Sequence, residues 1–376
     1  MKVENFLPQL TTIRRQLHTY PELSFKEFET TRLIEEALEN WGVQFHRFEN
    51  LDTGGYCTIG SGRTIAYRAD IDALPIEENP DHKIVSRYPG IMHACGHDFH
   101  TAIGLGLARY FSSEAEHLDK KLMIIFQPGE EAAPGGAEKV LEEEIWNETE
   151  AILAVHVTPD LAAGNFILLN GAVQASSTSV YIEINGAGGH TSKPSETVDL
   201  INVGGLFVTQ LQNYLRQKIN PQETVVLVFG SIHGGSTHNI IPQKIQLRGT
   251  LRTLNNSVLN DAISLMRMFS SDFEKIYNIQ IELKFPTNCP ATINDPLLFR
   301  KFMDFMKALG KGDNLITDRL PSMGADDFAF YTQKIPGLYL IAGGAGKGTL
   351  HSGDLELDEA LLEPVLENLA GFISLL

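Results

Sequence analysis

The chain has 376 residues, 43% hydrophobic and 20% charged, a globular composition that excludes a disordered chain and is too long for one ordinary core. Acidic residues (47) outnumber basic ones (30), and the net charge of −17 argues against nucleic-acid phosphates or an anionic membrane as partners. The opening MKVENFLPQLTTIRRQLH lacks a charged and then apolar leader, and no apolar run of about 18 residues could span a membrane. Cys57, Cys95 and Cys289 are too few and too scattered for a disulfide framework, so a reducing, cytoplasmic location is expected.

Taken in chain order, Phe6, Leu10, Ile13 and Leu17 recur at helical spacing. Ser24 followed by Glu27 has the pattern of a capping box opening a second helix, which Gly42 would stop. Short apolar runs at 64–69, 122–126 and 152–156 read as buried strands, with a helical stretch at 101–111 between the first two. That alternation predicts an α/β sheet covered on both faces. Beyond Gln174 the pattern changes: strands at 178–184, 224–229, 245–251 and 279–285, with helices at 197–216 and 257–276. This β-α-β-β-α-β order is that of a ferredoxin-like unit of about one hundred residues. After Pro286 helices resume, with one more strand at 338–342 and an amphipathic helix from Asp358. The expected architecture is a discontinuous α/β domain (1–174 plus 288–376) interrupted by a smaller domain (175–287).

The segment His93-Ala-Cys95-Gly-His97-Asp98-Phe-His100 concentrates imidazole and thiol, the ligands that zinc, manganese, cobalt and nickel sites use. A polar loop capping the next helix is the plainer reading, but such loops seldom carry so many soft ligands. Glu130 and Glu131 follow the run at 122–126; an adjacent pair can divide metal coordination from general-base work because extended neighbours point apart. Exposed loop carboxylates are the usual fate of Glu-Glu, and position at the carboxyl end of a central strand is what reverses that reading. His156 ends another buried strand, where a histidine is more often a satisfied core residue unless neighbouring strands end in ligands too. His351 is the histidine of the last third that could complete a site from that side. Asp70 and Asp72 follow a strand, and two readings stand: Asp70 orients a ligand, or both cap the following turn.

The motifs RRQLHTYPELSFKEFET, RADIDALP, MHACGHDFHT, FQPGEE, GGHTSKP and LHSGDLELDE, in one order from Arg14 to Glu359, resemble the aminoacylase and carboxypeptidase family of two-metal amidohydrolases. They are most similar to the branch of hippurate hydrolase, indole-acetyl-amino-acid hydrolases and N-acetyldiaminopimelate deacetylase. The resemblance implies that Cys95, His97, Glu131, His156 and His351 bind two divalent ions (zinc, manganese, cobalt or nickel) and that Glu130 is the general base. It implies a catalytic α/β domain interrupted by a lid domain through which the chain forms a homodimer. His190 matches a position that donates to the oxyanion, and Asn239 and Arg252 match positions that hold the substrate carboxylate. The expected reaction is hydrolysis of an N-acyl amino acid, N-acetyldiaminopimelate being one candidate, by a metal-bridging hydroxide formed with Glu130. Two departures from the branch are Gly129, where alanine is usual, and Asp326-Asp327, where Glu-Asp is common.

Two other classes compete: a hydrolase with Cys95 as nucleophile and His97 as its base, and a metal-binding protein without turnover. The first leaves Glu130, Glu131, His156 and His351 without a role. The second leaves Glu130 unexplained. The run Gly343-Gly-Ala-Gly-Lys347-Gly has the look of a phosphate loop but not its spacing. His46, His82, His117 and His233 have no partner pattern and are expected at the surface.

Overall fold

The apolar runs form the sheets of the computed structural model, which describes residues 2–376 apart from 116 and 117. In chain order, α1 (Leu7–Thr19) and α2 (Phe28–Asn40) precede β1 (Phe45–Arg47) and β2 (Gly55–Gly60). Then come β3 (Thr64–Asp70), α3 (His97–Ser112), β4 (Lys121–Gln127) and β5 (Thr149–Thr158). They are followed by β6 (Ser177–Asn185), α4 (Leu200–Lys218), β7 (Val225–Gly234), β8 (Lys244–Thr253), α5 (Asn256–Tyr277) and β9 (Gln280–Lys284). The last are α6 (Pro296–Ala308), β10 (Gly337–Gly343) and α7 (Leu362–Leu375). His117 lies outside the described residues. Among the described residues, no helix is long and apolar enough to cross a membrane.

The chain divides into two compact units, Met1–Val173 with Ile293–Leu320 and Asp327–Leu376, and Gln174–Thr292 with Pro321–Asp326. In the first, an eight-stranded sheet runs β1-β2-β4-β3-β5-β10, then Phe166–Ile167 and Leu315–Ile316. Strands β4, β3, β5 and β10 are mutually parallel, whereas β1 and β2 form an antiparallel edge that the sequence reading did not include. The sheet is therefore mixed. Alternation along β3 sends Ile65, Tyr67 and Ala69 into a core shared with α1, α3 and α7, and Ala66 into a second core with Phe328 and Tyr331. A Cβ on Gly106 of α3 would lie 2.6 Å from Leu366 of α7, so a larger side chain there would force the helices apart.

The second unit has β6, β7, β8 and β9 in the order β7-β8-β6-β9, every neighbour antiparallel, with α4 and α5 in the β-α-β-β-α-β sequence. Val180, Ile182 and Ile184 of β6 pack with Phe207 of α4 and Phe273 of α5 as its core. Strand β7 is one edge of the sheet.

The expected capping box at Ser24 and Glu27 does not form. Helix α2 begins at Phe28, and its Glu29 and Thr30 amides donate to the Glu22 carboxylate (3.2 and 2.8 Å). Ser24 and Glu27 make longer-range bonds instead: Ser24 Oγ donates to Asp72, and Glu27 accepts from Gly129 N and Thr53 Oγ1 as well as from nearby Phe25 N. Local spacing was right for a cap, but tertiary partners took both side chains.

Helix α1 is tied to the start of α3 through buried charge. His18 Nδ1 donates to Asp98 Oδ2 and Nε2 to Glu78 Oε1, each at 2.9 Å, and Arg14 bonds both Asp98 and Glu359. Burial pushes the His18 imidazole down, but the Asp98 and Glu78 carboxylates outweigh it and hold it at about 9, against the usual 6.5. A group whose proton is held more tightly in the folded state stabilises fully below the unfolded value and loses that effect as pH rises through the folded one. A shift of this size corresponds to roughly 3 kcal/mol. Replacing His18 by leucine is therefore expected to lower urea-unfolding stability by up to about 3 kcal/mol at pH 6. The deficit should shrink toward pH 10; a deficit independent of pH would mean that packing, not charge, is at work.

Candidate metal centre

The turn at 93–97 is shaped by Gly96, the N-cap of α3, in a left-handed conformation (φ 82°). A Cβ there would lie 2.4 Å from Val157 Cγ2, so only glycine lets Cys95 and His97 straddle so tight a bend against the end of β5. Parallel strands bring the other groups in. Asp70 ends β3, Gln127 ends β4 beside it in register, and His156 lies near the end of β5. These are the carboxyl ends of the sheet, where open α/β folds place their sites.

Hydrogen bonding decides which histidine nitrogens can bind a cation. His97 Nδ1 lies 3.0 Å from the Asp72 carbonyl oxygen, and His156 Nδ1 lies 2.8 Å from that of Val157. A carbonyl only accepts, so each Nδ1 donates, and in the neutral ring each Nε2 carries a lone pair. His156 Nε2 lies 3.3 Å from Cys95 Sγ. His97 Nε2 is buried with no hydrogen-bond partner among the described residues. Buried polar atoms are rarely left so, and other donors converge on it: donor atoms of Cys95, His97 and His156 lie within 4.8 Å of one another. The same holds for Cys95, Glu131 and His351, and for His97, Glu130 and Glu131. Cys95 belongs to two of the groups. The five residues expected as ligands are thus brought together, with Glu130 beside them.

His351 reaches the site from the loop after β10. Its Nε2 lies 3.2 Å from Glu131 Oε1, and its backbone has a positive φ of 60°. Such a conformation is costly for a non-glycine residue and persists where surroundings enforce it, here through its amide donating to Ala94 O at 2.8 Å. Burial, with Glu131 and Glu130 nearby, holds the Cys95 thiol well above its usual range despite the opposing effect of His97. His97 is pushed down by burial, yet Asp70, Asp72 and Cys95 outweigh this and hold its proton well above the ordinary value. A soft and nitrogenous donor set that clings to protons while buried beside carboxylates fits divalent cations, which would take the place of those protons.

Behind the donors lies a layer that the sequence reading left open or missed. Asp72 accepts from His97 Nδ1 (3.2 Å), Ser24 Oγ (2.6 Å) and Glu131 N (2.9 Å), so it, rather than Asp70, orients an expected ligand. Asp70 bonds His100 Nδ1 at 2.6 Å. His100 Nε2 accepts the Val157 amide at 3.0 Å, so His100 ties the end of β3 to the end of β5 next to His156. Arg68 bonds Asp70, Asp327 and Gln127. Burial would raise the Asp70 carboxyl, but the Arg68 guanidinium outweighs it and holds it well below the usual range. The cluster of His100 with the CGHD turn was the available signal. Nothing local in the sequence pointed to Asp327, which arrives from far along the chain.

The remaining expected residues lie in the second unit. His190 is exposed on a short ribbon in which it pairs with Ile240, next to exposed Asn239. Its Nδ1 accepts the Ser192 amide at 3.1 Å, which leaves the neutral ring's proton on Nε2 as a donor. Arg252, on β8, is half-buried and donates to Met323 O at 2.7 Å. Of the other histidines, His46 stacks on Tyr56 and His82 bonds Glu78, both half-buried, while His233 is exposed. The 343–347 amides donate to Asn165, Thr158, Leu161, Pro159 and Glu356 carbonyls, so this glycine-rich run is not arranged to cradle a phosphate.

Comparison with known proteins agrees with this geometry. The chain is 36% identical to N-acetyl-L-cysteine deacetylase of Bacillus subtilis (strain 168), over 94% of this chain and 85% of that one. It is 34% identical to N-acetyldiaminopimelate deacetylase of Leuconostoc mesenteroides, over 97% and 96%. A crystal structure of the Bacillus subtilis YXEP protein, described as a dinuclear metal binding peptidase from the M20 family, superposes with a TM-score of 0.86 at 33% identity, covering 99% of this chain and 98% of that one. Residues 66–375 match the model of peptidase family M20/M25/M40. The chain belongs to that family of metal-dependent hydrolases.

Proposed function

We propose that the protein hydrolyses the amide bond of N-acyl amino acids, acetyl groups foremost, with two divalent ions held by Cys95, His97, Glu131, His156 and His351. The observation that carries this reading is the convergence of those five donor groups beside Glu130, one of them, His97, with a buried nitrogen otherwise unpartnered. When bound, the ions would supply a Lewis acid for the acyl oxygen and bring the pKa of water down to about 7. Glu130 then takes the proton of the attacking water and delivers it to the leaving amine. His190 Nε2–H is a donor for the oxyanion, and Asn239 and Arg252 are suited to the substrate carboxylate, Arg252 in a bidentate way. A thiol nucleophile at Cys95 is disfavoured, because burial and neighbouring carboxylates hold its proton on. One thiolate, three imidazoles and a carboxylate suit zinc, manganese, cobalt or nickel. Relatives named as deacetylases of N-acetyl-L-cysteine and N-acetyldiaminopimelate make those two amides the first substrates to try.

The second unit is read as ferredoxin-like on the basis of its strand order, and as a lid and dimerisation domain on the basis of the family resemblance. Its edge strand β7 leaves Val228 and Ile232 each 54% exposed, an apolar edge suited to pairing with a second copy. Three cysteines without disulfides suit a reducing cytoplasm.

The test is a panel of N-acetyl and N-benzoyl amino acids, including those two amides, assayed with apoprotein reconstituted with each metal. Chelated protein should be inactive; hydrolysis that survives full metal removal sinks the reading. Glu130→Gln should lower kcat by roughly 10²–10⁴-fold while the metal content stays at two ions per chain. Because Cys95 and His97 hold their protons, metal uptake should release protons in calorimetry and weaken as pH falls below 7. In sedimentation, the wild type should be a dimer and Val228→Lys should shift it toward monomer.

A further inference from the structure

Glu130 sits between two anchored peptide groups. The amide after it, Glu131 N, donates to Asp72 Oδ2 at 2.9 Å, and the amide before it, Gly129 N, donates to Glu27 Oε1 at 2.8 Å. Glu27 is fully buried, and its carboxylate accepts two further bonds, from Phe25 N at 2.9 Å and Thr53 Oγ1 at 2.7 Å. The Gly129 carbonyl is held too, accepting Gly136 N at 3.0 Å. Phe25 closes the arrangement from outside. Its ring lies where a Gly129 side chain would go, 2.5 Å from an ideal Cβ, and both residues have positive φ (60° and 67°). No other residue would fit at 129 without displacing that ring, which accounts for glycine at this position.

We infer that Glu27 is a positioning residue for Glu130: reaching from the start of α2, it fixes the Gly129 peptide and thereby the backbone from which Glu130 projects. This rests on the reading of Glu130 as the general base. A base displaced by a fraction of an ångström loses rate steeply, because proton transfer demands near-attack geometry. The role depends on reach, not charge. Burial, with Asp72 adding to it, pushes the Glu27 carboxyl up to about 7, so a neutral group of the same length is compatible with the site. Glutamine has that length; its amide oxygen can accept from Gly129 and Phe25 while its amino group faces Thr53. Aspartate keeps the charge but is one methylene short.

The experiment compares Glu27→Gln and Glu27→Asp in metal-loaded protein, with the best-hydrolysed member of the panel above as substrate. Glu27→Asp should lower kcat tenfold or more with KM within threefold of wild type, and Glu27→Gln should stay within threefold in both. Both variants should keep two ions per chain by elemental analysis and should melt as folded proteins. Three results would each overturn the inference: Glu27→Asp with unchanged kcat, a loss in Glu27→Asp confined to KM or matched by lost metal, or a Glu27→Gln protein as slow as Glu27→Asp. Glu130→Gln, assayed alongside, separates the two ideas. If it keeps full activity, the general-base reading fails by itself, whatever the Glu27 variants do.

Discussion

One buried carboxylate keeps the site in register. Asp72 joins His97, at the start of α3, to the Glu131 amide, in the loop after β4, and to Ser24, in the segment before α2. Three stretches of chain with no other reason to stop at the same depth are fixed against one group. Hydrogen bonds to an ionised carboxylate contribute about 1.5–3 kcal/mol each, and leaving such a group buried and unpaired would cost more. The sheet supplies the coarse placement by ending β3, β4 and β5 side by side. Asp72 sets the fine one.

The electrostatics of this region run against the chain's own acidity. Cys95, Glu130, Glu131, Asp70 and Asp72 crowd together in a protein of net charge −17, and Arg68 is the nearby buried cation that pairs with Asp70. In that setting thiol and imidazole hold their protons, and divalent cations are what would relieve the crowding. With these groups as the ligands, metal binding would be coupled to the stability of this unit. The ion-pair network of Arg14, His18, Glu78 and Asp98 sits one residue beyond His97 and steadies the start of α3 without supplying a donor.

Two layers of support surround the proposed base. Asp72 and Glu27 hold the amides on either side of Glu130, and the Phe25 ring blocks the loop from relaxing outward. Rigid backing of this kind matters more for a proton-transfer group than for a metal ligand, since a cation can draw a ligand into place and a base has no such help.

Short-range chemistry was legible from the residues alone. The runs at 64–69, 122–126 and 152–156 became β3, β4 and β5, because a parallel strand buried on both faces reads as a near-continuous apolar run. The five donor residues and Glu130 were named through the resemblance of their motifs to a two-metal family, and the structure brings their side chains together. The antiparallel β1–β2 edge was missed: β1, three residues long, leaves too few positions to display a period, and the six-residue β2 (GYCTIG) is bounded by glycines and has few apolar residues. Ser24 and Glu27 were misread as a local cap, because spacing along a chain cannot reveal a partner about fifty or one hundred residues away. Asp72, His100 and Asp327 owe their roles to strand register and to chain returning from beyond position 293. Residue types determined which metal-ligating and proton-holding groups this protein has to offer; only the packed sheet decided which carboxylate faces which histidine, because hydrogen bonds act over about 3 Å in space and are blind to distance along the sequence.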